Sequence, residues 1–163
     1  MHNCERGKAT YLNETFAKHA SHMPALFASL IEAGPKPVGA SGHPTAPGIY
    51  LLVDAAGKIR HVGRTRNLRQ RLRAHRTPNH NSASFAFRLA RRELGIAASY
   101  TKANSRAALQ ADETFGACFR RHVAAVSNMT VRFLPVPDPI DQYLLELYAV
   151  LELGMPADEF DTH

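Results

Sequence analysis

Residues 48–53, GIYLLV, and residues 58–63, KIRHVG, are two β-rich runs separated only by DAAG. So short a connection cannot carry the crossover that a parallel pair needs, so the two runs must form an antiparallel hairpin. With DAAG as the whole loop, Val53 pairs with Lys58 and Tyr50 falls opposite His61. Directly opposed side chains share a face with Cβ atoms ~4.5–5.5 Å apart, which brings a phenol and an imidazole together.

Helical patterns flank the hairpin. Met23, Leu26, Phe27, Leu30 and Ile31 follow helical spacing, with Pro24 at the start and Gly34-Pro35 at the end; a shorter helix over 13–20 precedes them. Residues 34–47 hold four prolines and three glycines and read as a loop. Thr65 is placed to cap a helix running to Arg76, with Leu68 and Leu72 facing the core and Arg71 and His75 on a neighbouring face. Further helices are expected over 84–94 and over 105–126, the latter with a Phe115, Phe119, Val123 and Val126 stripe. MTVRFLPV alternates as a third strand. Asp138-Pro139 opens a last helix, with Asp141 where the helix dipole favours acids. Its expected core stripe is Ile140, Leu144, Leu147, Tyr148 and Leu151, and Gly154 with Pro156 ends it. This order predicts an α+β fold: a small antiparallel three-stranded sheet flanked by helices, with residues 1–46 as a helical N-terminal arm and Pro/Gly loop and 47–163 as the main domain.

Composition narrows the function. Cys4 and Cys118 form no CxxC pair, which speaks against a disulfide scaffold or a zinc ribbon. No apolar run approaches the ~20 residues of a membrane span, and no secretory signal is visible, so a cytoplasmic protein without membrane contact is expected. Charge is sorted along the chain. Between Lys58 and Arg92 there are eleven basic residues and no acid, and from Asp138 onward there are seven acids and no Lys or Arg. A compact arginine-rich block suits phosphates, so an anionic polymer is the expected partner.

Gly48-Ile49-Tyr50, ten residues, then His61-Val62-Gly63 resemble the GIY…YIG pair of the GIY-YIG nucleases. The run HVGRTRNLRQRLRAH strengthens the likeness, because the family carries its essential arginine eight residues beyond the glycine, here Arg71. The resemblance is tight over 47–76 and extends loosely to the C-terminal helix, where the family places a metal-binding glutamate. The compact restriction endonucleases of the family are similar in having a histidine one helical turn past the arginine, here His75. Two positions depart from the pattern: His61 stands in place of the second tyrosine, and Asp158 in place of an asparagine about twelve residues after the glutamate.

The resemblance implies a metal-dependent endonuclease hydrolysing phosphodiester bonds in DNA, with RNA as the other substrate that phosphate contacts would serve. In that chemistry Tyr50 accepts a proton from the attacking water. Its unperturbed pKa of ~10 makes it a poor base unless Arg64, Arg71 or a metal lowers it. His61, with an unperturbed pKa of ~6.5, shares base duty or holds the water. Arg71 binds a non-bridging oxygen of the scissile phosphate. His75 hydrogen-bonds the leaving group or the phosphate.

Arg64, Arg66, Arg69, Arg73 and Arg76 are expected to position the nucleic-acid backbone. Glu146 lies on the shoulder of an apolar stripe, where an unpaired carboxylate is costly, and one Mg²⁺ or Mn²⁺ per site would resolve that cost. Glu152 is a rival ligand, and an ion pair with the arginine block is the structural alternative for Glu146. Cys118 and His122 sit on a helix that is otherwise core, and Phe85 and Phe87 read as packing residues. A homodimer would let one site per subunit cut both strands. The competing reading is a non-catalytic DNA- or RNA-binding module that retains the nuclease fold.

Overall fold

The computed structural model describes residues 14–99 and 101–156. Asp158 and Cys4 lie outside the described residues. The elements run α1 (Glu14–Ser21), α2 (Met23–Glu32), β1 (Lys36–Pro37), β2 (Gly48–Val53), β3 (Ile59–Thr65), α3 (Leu68–His75), α4 (Ser84–Glu93), α5 (Arg106–Ala111), α6 (Glu113–Ser127), β4 (Thr130–Pro135) and α7 (Pro139–Glu152). The sheet is antiparallel with order β1-β4-β2-β3. It has four strands rather than the expected three. The extra one, β1, pairs Lys36 with Val131 and Pro37 with Thr130 inside the segment read as loop. Proline lacks the N–H for a second ladder, which confines such a strand to the edge.

Strand β2 is buried along its whole length, so its side chains supply both faces of the sheet. Tyr50 and Leu52 enter one apolar cluster with Leu68, Leu72, Phe85, Phe87, Phe115 and Phe119 from α3, α4 and α6. Ile49, Leu51 and Val53 enter the other, with Met23 and Leu30 of α2 and Leu145, Ala149 and Val150 of α7. The period of two thus assigns alternate residues of one strand to two cores.

The hairpin register differs from the expected one. Asp54 N–H donates to the Lys58 carbonyl, Val53 pairs with Ile59, and a bulge follows, so Tyr50 opposes Gly63 and Leu52 opposes His61. The slip amounts to two residues at Tyr50, which preserves side-chain parity. Tyr50 and His61 therefore stay on one face as diagonal neighbours, their ring centroids 5.8 Å apart. The Tyr50 ring lies over Gly63, where any Cβ would collide with it. A Cβ on Gly48 would likewise strike the Leu134 carbonyl of β4. Both motif glycines are thus required by close approach.

Other expectations shift by local chemistry. Helix α3 is capped by Asn67, whose side chain accepts from Gln70 N–H at 3.0 Å, while Thr65 Oγ1 accepts from Asn67 N–H. The expected single helix over 105–126 is two. Asp112 is extended (φ −63°, ψ 134°) and its carboxylate caps α6 through Phe115 N–H at 2.8 Å. An N-capping side chain competes with continuation of the preceding helix.

Helix α7 begins as expected, with Asp138 accepting from Ile140 and Asp141 N–H. Its inward face is not the expected stripe. Gln142, Leu145, Ala149 and Val150 are buried, Leu144 and Tyr148 are half-buried, and Ile140, Leu147 and Leu151 are exposed. Glu146 lies beside that inward face, and its carboxylate meets Arg64 of β3. Among the described residues no helix is long and apolar enough to cross a membrane.

Candidate active site

The first half of the site is a hydrogen-bonded knot around Tyr50. The strand holds its phenol in the core, fully buried, with the oxygen at the interface of β2 and α3. His75 Nε2 lies 2.7 Å from that oxygen, and Arg71 Nε donates to it at 3.1 Å. Arg71 and His75 reach the same atom because four residues make about one helical turn. Arg71 also donates through Nη1 to the Ser82 carbonyl (3.2 Å) and through Nη2 to Ser84 Oγ (2.7 Å). Three of its ~five N–H groups are thereby fixed, leaving two for a ligand.

Burial, ahead of the opposing Arg71 charge, raises Tyr50 above its ordinary 10. Of the cations named as able to lower it, Arg71 does act in that direction through its charge and its hydrogen bond. Around this oxygen the loss of hydration outweighs the guanidinium. His75 is driven well below 6.5 by burial first and then by Arg71 and His61, so it is neutral.

The second half is an open cavity beside the knot, lined by Tyr50, His61, Gly63, Arg64, Arg71, Ser84, Phe85, Arg88 and Glu146. His61 stacks on Phe85 with centroids 4.7 Å apart and planes at 14°, and turns an edge to Tyr50 and His75. Arg88 Nη2 lies 3.4 Å from His61 Nδ1. Arg64 Nε donates to Glu146 Oε2 at 3.1 Å, and its guanidinium lies 3.7 Å from the centre of the Tyr143 ring. Three arginines and one carboxylate therefore converge on one cavity, which leaves it electropositive.

Glu146 makes the ion pair named as its structural alternative, yet burial raises its carboxyl above 4.5 despite Arg64. One guanidinium does not offset the desolvation. The Glu146 carboxylate is the hard-oxygen donor that this cavity offers, so Mg²⁺ or Mn²⁺ there would be held chiefly by water and substrate oxygens. Glu152 is exposed and lies outside the cavity.

Of the expected residues, Tyr50, His61, Arg64, Arg71 and Glu146 line the cavity, and His75 stands behind Tyr50. Arg66 and Arg73 are exposed and lie outside it. Arg69 Nε donates to the His43 carbonyl at 2.7 Å, and Arg76 lies against Gly39. Sequence reasoning missed Ser84 and Arg88 as site residues. Both lie on α4 at a spacing that puts them on one face, and Arg88 belongs to the acid-free basic block.

Residues 46–113 match the family model described as the GIY-YIG catalytic domain, so this part of the chain is a GIY-YIG domain. The match holds β2, β3, α3, α4 and α5; Glu146 lies beyond it. Among curated proteins, a segment of 29 residues is 66% identical to UvrABC system protein C of Trichlorobacter lovleyi, covering 18% of this chain and 5% of that one. A 48-residue segment is 44% identical to UvrABC system protein C of Syntrophus aciditrophicus, covering 29% of this chain and 8% of that one. In Gloeobacter violaceus the protein of the same name is 47% identical over 38 residues, 23% of this chain and 6% of the relative. The matched segment thus spans less than a tenth of each of these relatives. No solved structure matches at comparable significance.

Proposed function

We propose that the chain is a metal-dependent endonuclease that hydrolyses phosphodiester bonds in DNA. The observation that carries this reading is the convergence of Arg64, Arg71 and Arg88 with Glu146 on the cavity beside Tyr50. Arg71 has two N–H groups for the non-bridging oxygens of a phosphate, and its other three are tied down, so it is preorganised for the charge that builds in the transition state. Arg88 supports the same anion from α4.

Tyr50 takes the proton of the attacking water, with the Arg71 Nε bond and a divalent cation when bound favouring the charged oxygen, and with His75 Nε2 fixing the orientation of the hydroxyl. His61 holds that water from the neighbouring position on the sheet. Glu146 is the residue that would hold the divalent cation, which when bound supplies Lewis-acid stabilisation of the phosphate oxygens. Arg64 sets the orientation of that carboxylate. The cavity holds one such set of groups, so cutting both strands of a duplex takes two events, in sequence or in a homodimer.

Supercoiled plasmid incubated with the chain in Mg²⁺, in Mn²⁺ and in EDTA tests this reading. Nicking or linearisation with either metal, abolished by EDTA and by Glu146→Gln, is expected. Intact plasmid in every condition, with retarded mobility in a gel, would instead identify a binding module that keeps the fold without the reaction.

A further inference from the structure

A second constellation lies on α7 outside the cavity. His19 in the last turn of α1, His22 just before α2, and Asp141 in the first turn of α7 converge. His19 Nδ1 is 2.7 Å and His22 Nε2 3.3 Å from the same oxygen, Asp141 Oδ1, and the three ligand atoms lie within 4.8 Å of one another. We propose that these three side chains bind a transition-metal dication of the Zn²⁺ class.

The chemistry of the donors sets the class. Two imidazole nitrogens and one carboxylate oxygen form a borderline set that suits Zn²⁺, with water at a fourth position. Bonds of ~2.0–2.1 Å around a tetrahedral centre place ligand atoms about 3.3 Å apart. The His22–Asp141 separation already has that length, and His19 needs only a small withdrawal. Asp141 and His19 are largely covered, with side chains 17% and 18% exposed, whereas His22 at 41% leaves one side open to water. Asp138 fixes the first turn of α7 through two backbone N–H groups, and so fixes where Asp141 points.

A comparable cluster of Glu93, Cys118 and His122 shows what argues against a metal. There Arg121 donates to both the Glu93 carboxylate and the Cys118 sulfur, so a fixed guanidinium already supplies the positive charge. Among the described residues no lysine or arginine bonds Asp141. The proposed site also has a structural consequence. Helix α1 has no fully buried residue of its own, so a metal shared with Asp141 would strengthen the tie to α7 that His19 already makes. Asp141 precedes Glu146 by five residues, about 7.5 Å along the helix axis, so the two sites are separate.

The test is calorimetric titration of the EDTA-stripped full chain with Zn²⁺, paired with Co²⁺ absorption spectra. The expected result is saturable one-to-one binding with a raised melting temperature, and visible Co²⁺ bands without an intense thiolate band in the near ultraviolet. Loss of a ligand must cost at least as much as loss of an outer-shell partner. Asp141→Asn and His22→Gln, both mild changes at partly exposed positions, are each expected to weaken binding by about tenfold or more. Absence of saturable binding overturns the proposal. So does binding that survives both variants, or that is lost in His122→Gln or Glu146→Gln instead.

Discussion

The two faces of strand β2 are built on opposite principles. Ile49, Leu51 and Val53 end in apolar atoms and pack into a mainly apolar cluster from α2 and α7, with the polar contacts of that face left to Arg64 and Arg132 on the neighbouring strands. Tyr50, one residue along, is as deeply buried but ends in an oxygen shared by Arg71 and His75. The difference teaches where each kind of free energy resides. The aliphatic face stabilises the fold by removing surface from water. The Tyr50 face carries buried polar groups whose cost is offset only when every partner is in place, which is the condition of a preorganised site.

That contrast is broken most severely from the aliphatic side. Leu51→Ala leaves a cavity between the sheet and α7, and is expected to cost about 2–5 kcal/mol in a denaturant titration while the remaining folded protein keeps its cleavage rate. Gly63→Ala attacks the other face, because the new methyl group must displace the Tyr50 ring. Overpacking of this kind costs ~1–3 kcal/mol. Here cleavage should fall along with stability, since the displaced phenol leaves Arg71 and His75 without their shared partner.

A smaller effect appears as a function of pH. His75 is held neutral in the folded state and titrates normally when unfolded, so the unfolded chain binds the extra proton. Stability from this group is complete above an unfolded pKa of ~6.5 and declines as pH falls through that value toward the lower folded one. The slope is at most about 1.4 kcal/mol per pH unit. Melting curves of wild type and His75→Gln between pH 7 and pH 5 should therefore converge as pH drops; parallel curves would contradict the burial argument.

Glu146→Gln gives the smallest change and the opposite sign. Burial raises this carboxyl, so ionising it at neutral pH costs stability, and that cost grows as pH rises through the folded pKa. The amide is expected to remove cleavage, and the melting temperature of wild type relative to the variant should fall as pH rises from about 4.5 toward neutrality.

The sequence made local geometry legible and left distant encounters hidden. Tyr50 and His61 share a face whichever even register the hairpin takes, so a wrong loop length still led to the right neighbours. Arg71 and His75 follow from one helical turn. Ser84 and Arg88 arrive from a separate helix, and no spacing rule ties α4 to the hairpin. On α7 hydropathy favoured Leu147 and Leu151 for the interior. The fold instead turned in Gln142 and Ala149, with the Gln142 amide satisfied by the Val136 carbonyl at 2.7 Å. Hydrophobicity ranks residues one by one, while the inward face is set by which stripe, here Leu145, Ala149 and Val150, fits the surface offered by β2 and α2.

The central claim is that the Tyr50 face performs phosphate chemistry through Arg71. The most direct measurement is the rate of plasmid nicking by Arg71→Ala in Mg²⁺, with its melting temperature recorded alongside. A fall of roughly 10²–10³ in rate is predicted, as for loss of one preorganised donor, with the protein still folded at the assay temperature. Nicking at the wild-type rate by a folded Arg71→Ala protein would contradict it.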